Sequence, residues 1–102
     1  GKTYHVILVD PPKFGRGPDG EVWDLFTHLP GLLADCSKLL APERAAMVLT
    51  VYAIRASALA FGQLVDETLK DRKGRSDCGE LAITAKSGVA VPTSLFVRWS
   101  GP

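Results

Sequence analysis

The feature that most restricts the fold is a four-residue aliphatic run, Val6-Ile7-Leu8-Val9, that stops at Asp10-Pro11-Pro12. A short run that is apolar throughout suits a parallel strand covered on both faces, where no polar alternation is required. Tyr4 to Val9 reads as that strand. The two prolines end it, since neither can donate to a ladder. Phe14 to Gly20 (FGRGPDG) follows as a loop rich in glycine and proline.

From Val22 to Leu40 the spacing turns helical. Leu25, Leu29, Leu32, Leu33, Cys36, Leu39 and Leu40 recur at intervals of three and four, which puts them on one face. Pro30 lies inside this run and is expected to kink the helix or divide it in two. Ala41-Pro42-Glu43-Arg44 ends it. Ala45 to Tyr52 reads as a second strand, and Ser57 as the cap of a second helix across Ala58 to Leu69. Lys70 to Gly79 is charged and contains glycine, which predicts a loop. Glu80 to Ala85 and Leu95 to Trp99 are two further strands. The turn-rich Lys86 to Ser94 between them favours an antiparallel hairpin.

Strand, helix, strand, helix, strand, strand is the order of an α/β fold whose first two strands run parallel through right-handed crossovers. Ligands bind such sheets beyond the carboxyl ends of the strands. Asp10 and Tyr52-Ala53 fall at those ends.

The 102 residues make one compact unit, and a formal net charge of +1 announces no nucleic-acid partner in bulk. Cys36 and Cys78 have neither metal-ligand spacing nor a C-x-x-C pattern, so no metal is expected. Cys36 falls within the apolar helical pattern and reads as a buried thiol. No apolar run is long enough to span a bilayer, and the N-terminus does not resemble a signal peptide. The expected compartment is the cytoplasm, with no membrane partner.

An aliphatic strand running into Asp10-Pro11-Pro12-Lys13-Phe14 resembles motif IV of class I S-adenosylmethionine-dependent methyltransferases. Two closing strands without a helix between them also resemble that fold, which ends in an edge hairpin. D-P-P-K-F-G-R-G before a helix is similar to the bacterial large-subunit ribosomal RNA methyltransferases, among them cytosine carbon-5 enzymes and guanine-modifying relatives. The resemblance implies that residues 1–102 form the C-terminal half of a Rossmann-like catalytic domain covered by helices. It implies S-adenosylmethionine as cofactor, an RNA substrate, and Asp10 as a catalytic acid facing the methyl donor and the target base. Asp10 and Pro11 would border the donor. Pro11, Pro12, Lys13, Phe14, Arg16 and Tyr52 would line the substrate side, Phe14 as a stacking platform and Arg16 as a fork donor to phosphate. The Pro-Pro turn would fix the backbone so that neighbouring carbonyls point into the cleft.

Taken alone, the same residues leave other roles open. Asp10 suits a turn before proline, Phe14 a packed hinge and Arg16 a solvated loop charge. Tyr52 suits core or cleft equally. Lys70, Arg72, Lys73 and Arg75 suit a solvated loop as well as an RNA contact.

Leu49 to Ala53 holds no cysteine, where the cytosine carbon-5 relatives carry their nucleophile; direct attack by a substrate nitrogen or oxygen is expected instead. Lys13 occupies the place that an aromatic takes in the D-P-P box of amino-methylating enzymes, with Phe14 one place later. No G-x-G-x-x-G follows a strand, so the donor-binding N-terminal half is expected to lie outside this chain. The chain alone should then bind the donor weakly or not at all, and should not be competent as an enzyme. It should also expose Tyr4 to Asp10 as an edge open to self-association. The alternatives are a methyltransferase of a protein or small molecule, and a non-catalytic half-Rossmann interaction module.

Overall fold

The computed structural model describes residues 1–52 and 56–102. β1 (Val6–Val9) runs parallel to β4 (Ala45–Val51), with Val9 opposite Leu49. Between them lie β2 (Phe14–Arg16), β3 (Val22–Asp24) and the helix α1 (Leu25–Leu39). α2 (Ala58–Thr68), β5 (Arg75–Thr84) and β6 (Ala90–Gly101) complete the order. The main sheet is arranged β1-β4-β6-β5. β6 lies antiparallel to both its neighbours, so the closing hairpin enters the sheet by its second strand. This is the α/β, Rossmann-like arrangement that the sequence predicts, with a parallel pair and an antiparallel hairpin.

β1 stands at the sheet edge, as expected. Its covering is less complete than the apolar run implies. Val9 is buried and Ile7 packs against the core, but Val6 and Leu8 are 61% and 74% exposed. Alternate strand residues point to opposite faces. The helices bury the face of Val9, Met47, Leu49 and Val51 against Leu25, Leu29, Leu33, Phe61 and Val65. The opposite face of β1 is left open, so one face rather than both is covered among the described residues.

Four boundaries differ from the sequence reading. Phe14 to Gly20 is not all loop: β2 and β3 form a small antiparallel hairpin, closed by Gly17 N–H donating to Glu21 O at 2.8 Å. Gly20 sits there at φ 85°, a conformation that favours glycine. Val22 to Asp24 therefore belong to a strand, and α1 begins at Leu25. Asp24 caps it, accepting from Phe26 N (3.0 Å) and Thr27 N (3.3 Å). Pro30 does not divide the helix, which continues to Leu39. The ring lies near the first turn, and its missing N–H forfeits only the bond to the Phe26 carbonyl. Leu39 departs from the predicted face and is 46% exposed, while Cys36 is half-buried rather than buried.

The remaining two differences concern the hairpin. Arg75 to Gly79 joins β5 instead of the loop, although it carries no apolar alternation. Pairing with β6 recruits it, with Asp77 opposite Arg98 and bonded to it at 2.8 Å. The turn shortens to the residues around Gly88 (φ 88°), because β6 starts at Ala90 and not at Leu95. α2 follows its prediction closely, with Ser57 Oγ accepting from Leu59 N at 3.1 Å.

Two further contacts hold the loop between α2 and β5 in place. Arg72 donates to the carbonyls of Ala41 (2.5 Å), Leu40 (2.8 Å) and Ser37 (3.4 Å), which satisfies the end of α1. Trp99, 3% exposed, lies against Gly74, where a Cβ would run into the indole and the Ser100 carbonyl.

Candidate active site

The register of β1 with β4 builds the centre of the site. With Val9 opposite Leu49, the next residues along each strand, Asp10 and Thr50, come side by side on the open face. Thr50 Oγ1 donates to Asp10 Oδ1 at 2.6 Å. Asp10 is exposed and its neighbour Pro11 is buried, so the carboxylate stands out from an anchored backbone. Among the described residues no cation forms an ion pair with it.

The segment after Asp10 is gripped from the side of α1. Trp23 Nε1 donates to the Pro12 carbonyl at 2.6 Å, and Leu25 N to the Lys13 carbonyl at 2.9 Å. The carbonyls of Pro12 and Lys13 are therefore turned to the protein, against the expectation that carbonyls near the Pro-Pro turn point into the cleft. Trp23 stacks on His28 with ring centroids 5.5 Å apart and planes at 27°. His28 Nδ1 lies 2.9 Å from Asp24 N and 3.0 Å from Asp24 O, and the ring tautomer selects which of the two it bonds.

Phe14, opposite Asp24 in the β2–β3 ladder, is 55% exposed, so it is no packed hinge. The Arg16 guanidinium lies 6.0 Å from its ring centroid, in reach of a cation–π contact. Tyr52 follows β4 and is 46% exposed. With Glu80, Thr93, Ser94 and Leu95 it lines a cleft of about 140 Å³. Ala53 lies outside the described residues. Val51 pairs with Leu95, so the tip of the β5–β6 hairpin extends beyond the carboxyl end of β4, beside Tyr52. Its Leu81, Ile83, Val89 and Val91 are all more than two-fifths exposed.

A larger cleft of about 310 Å³ lies at the opposite end of β4, lined by Pro42, Arg72, Lys73 and Trp99 among others. Arg72 spends its donors there on the end of α1, and Lys70 is paired with Glu67 at 3.0 Å. The basic run is thus partly structural. An apolar cleft of about 150 Å³ separates α1 from α2, with Phe26 and Phe61 in a tilted ring pair 6.4 Å apart. The Cys36 thiol is pushed up from its ordinary value, first by burial and then by Asp35. No cluster of three or more potential metal ligands occurs among the described residues, and no described helix is long and apolar enough to cross a membrane.

Asp10 and its loop are legible as a strand end followed by prolines, whereas the contacts that Thr50, Trp23 and His28 make around them are not. Trp23 carried one usable signal, an indole between a glycine-rich turn and a capping aspartate. Thr50 carried none beyond its place near a strand end.

No family model matches the sequence, and no curated protein does. Among solved structures, the chain superposes over its full length on a SAM-dependent methyltransferase from Agrobacterium tumefaciens with a TM-score of 0.90 and 45% identity. It spans 34% of that protein. It also matches SMU.776, assigned as a methyltransferase and complexed with SAH, at a TM-score of 0.68 and 18% identity, over 96% of this chain and 26% of that one. A protein from Streptococcus mutans assigned as a SAM-dependent methyltransferase gives a TM-score of 0.68 and 15% identity, over 97% and 26%. The last two likenesses concern the fold.

Proposed function

We propose that this chain is the acceptor-side part of an S-adenosylmethionine-dependent methyltransferase domain that acts on ribosomal RNA in the cytoplasm. The observation that carries the reading is Asp10, an exposed carboxylate at the carboxyl end of β1, held by Thr50. It stands within a fold shared at 45% identity with the Agrobacterium tumefaciens enzyme. The donor fits this setting: it is a sulfonium cation, and Asp10 is a carboxylate whose described partner is a neutral hydroxyl. S-adenosylmethionine supplies a methyl group on that sulfonium sulfur. Methyl transfer is an in-line displacement, so the protein contributes mainly position and charge placement. Asp10 and Pro11 would border the donor, and Asp10 would orient the attacking substrate atom.

An RNA acceptor is supported by the D-P-P-K-F-G-R-G segment and by the exposure of Phe14 with Arg16 over its ring. That pair offers a base-stacking surface next to a fork donor for phosphate. The chain spans about a third of the Agrobacterium tumefaciens protein. In a longer protein of that kind, the donor-binding N-terminal half would pair with the open edge of β1 and cover Val6 and Leu8. In its absence, the same edge would take a second copy of this chain.

The test is methyl transfer by the intact protein, with radiolabelled donor, to pools of undermodified ribosomal RNA, protein and small molecules. Label in the RNA alone is expected. Label in protein or small molecules would replace the acceptor but keep the activity. No incorporation into any pool, with no binding of the donor, would favour a non-catalytic interaction module.

A further inference from the structure

The hydrogen bond from the Trp23 indole to the Pro12 carbonyl closes at 2.6 Å, between an indole nitrogen on β3 and the last proline of the D-P-P segment. Its consequence follows from how little freedom that segment has. Asp10 and Pro11 each precede a proline, which steers both residues to extended conformations. The rings of Pro11 and Pro12 fix φ at those two positions. Pro12 is followed by Lys13, so ψ of Pro12 is the torsion that both restrictions leave open. Rotation about it swings the Pro12 carbonyl, and a carbonyl bonded to Trp23 admits one setting.

The segment is also tied at both ends. Val9 is in the β1–β4 ladder, and Lys13 is bonded through its carbonyl to Leu25 N at 2.9 Å. In a span closed at both ends, the torsion at Pro12 and those at Asp10 do not vary independently. The indole that selects the setting is itself fixed. Trp23 lies opposite Gly15 in the β2–β3 ladder and stacks on His28, and its neighbour Asp24 caps α1.

We propose that Trp23 is a positioning residue for Asp10: its indole N–H sets the main-chain torsion left open at Pro12 in the D-P-P segment and so the direction in which the carboxylate is presented. Thr50 holds the same residue by its side chain. The catalytic consequence rests on the methyltransferase reading; the hydrogen bond and its effect on the loop do not.

The experiment replaces Trp23 in the intact enzyme with β-(3-benzothienyl)alanine, in which sulfur stands for the indole N–H and the ring keeps its size and its stack on His28. The expected result is a fall in kcat of up to roughly 100-fold, the scale of a small misplacement at a reacting centre. KM for the donor and the melting temperature should stay near wild type. Hydrogen exchange of the indole N–H is measured alongside. The chain has two tryptophans, and Trp23→Phe identifies which resonance belongs to residue 23. That N–H should exchange slowly, and the benzothienyl variant should shift the Asp10 and Pro12 carbonyl resonances. Wild-type kcat in the variant, or a loss matched by an equal loss of folded protein, would overturn the positioning role. So would a rapidly exchanging Trp23 N–H in the wild type. If the wild type methylates no acceptor at all, the functional reading fails instead, and exchange and carbonyl shifts decide the hydrogen bond by themselves.

Discussion

Thr50 Oγ1 donates to Asp10 Oδ1 across 2.6 Å, a bond between two strands that are adjacent in space and 40 residues apart in sequence. It fixes one carboxylate oxygen and leaves the other for chemistry. Thr50→Val keeps the side-chain shape and deletes the donor. We expect kcat to fall by roughly 10- to 150-fold, the range for a hydrogen bond to a charged group. Thr50→Ser should restore it. Steady-state kinetics beside melting curves for both variants decide this, and an unchanged kcat in Thr50→Val would separate the hydroxyl from the mechanism.

Asp10→Ala should lower kcat and kcat/KM together, and should weaken donor binding much less, because a group acting in the transition state affects both constants. Calorimetric titration of the donor into the folded variant supplies the comparison. Wild-type turnover there would remove Asp10 from catalysis.

Phe14→Ala is expected to act on KM for the acceptor, with a loss of about 1–3 kcal/mol for a stacked base. Arg16 already lies over this ring, so the base would take the other face or displace the guanidinium. Arg16→Ala should also raise KM for the acceptor, by removing the phosphate donor, and KM measured for the two single variants and the double variant shows whether the two losses add or are coupled.

Arg72 gives the opposite forecast. Its three bonds to the end of α1 make it structural, so Arg72→Ala should cost about 1–3 kcal/mol of stability by leaving carbonyls unsatisfied. RNA affinity of the folded fraction should be unchanged. Denaturant titration and filter binding, done together, distinguish this from a role in the acceptor site.

Cys36 predicts a pH dependence. Burial, and then Asp35, raise its pKa, so the thiol stays protonated above the ordinary range of about 8.5. Its contribution to stability is present in full below the unfolded value. It is lost as pH rises through the higher folded value. Alkylation of Cys36 followed by mass spectrometry should be slower in the folded protein than in the denatured chain, and the gap should narrow in strong alkali. Equal rates at mildly alkaline pH would contradict this.

Much of the fold was legible because its signals are local. The apolar run before Asp10, the helical spacing from Leu25 to Leu33 and the cap at Ser57 each name an element without outside information. The β2–β3 hairpin was not legible, since three-residue strands carry no period. Tertiary bonds from Trp23 and Leu25 to the Pro12 and Lys13 carbonyls help hold it in place. The start of β5 was hidden for a related reason. Arg75 to Gly79 is polar, and only the facing strand makes it extended. Within the site, Asp10 was visible from its place at a strand end, whereas Thr50 reaches it through a register that the sequence does not print.

β6 lies between β4 and β5, so the strand made earlier in synthesis reaches the sheet only through the one made later. While the chain emerges from a ribosome, β5 has no edge to join until residues 90–101 are clear of the exit tunnel. β4 meanwhile presents Leu49 and Val51 with one flank unpaired. This is the interval of greatest exposure to wrong association.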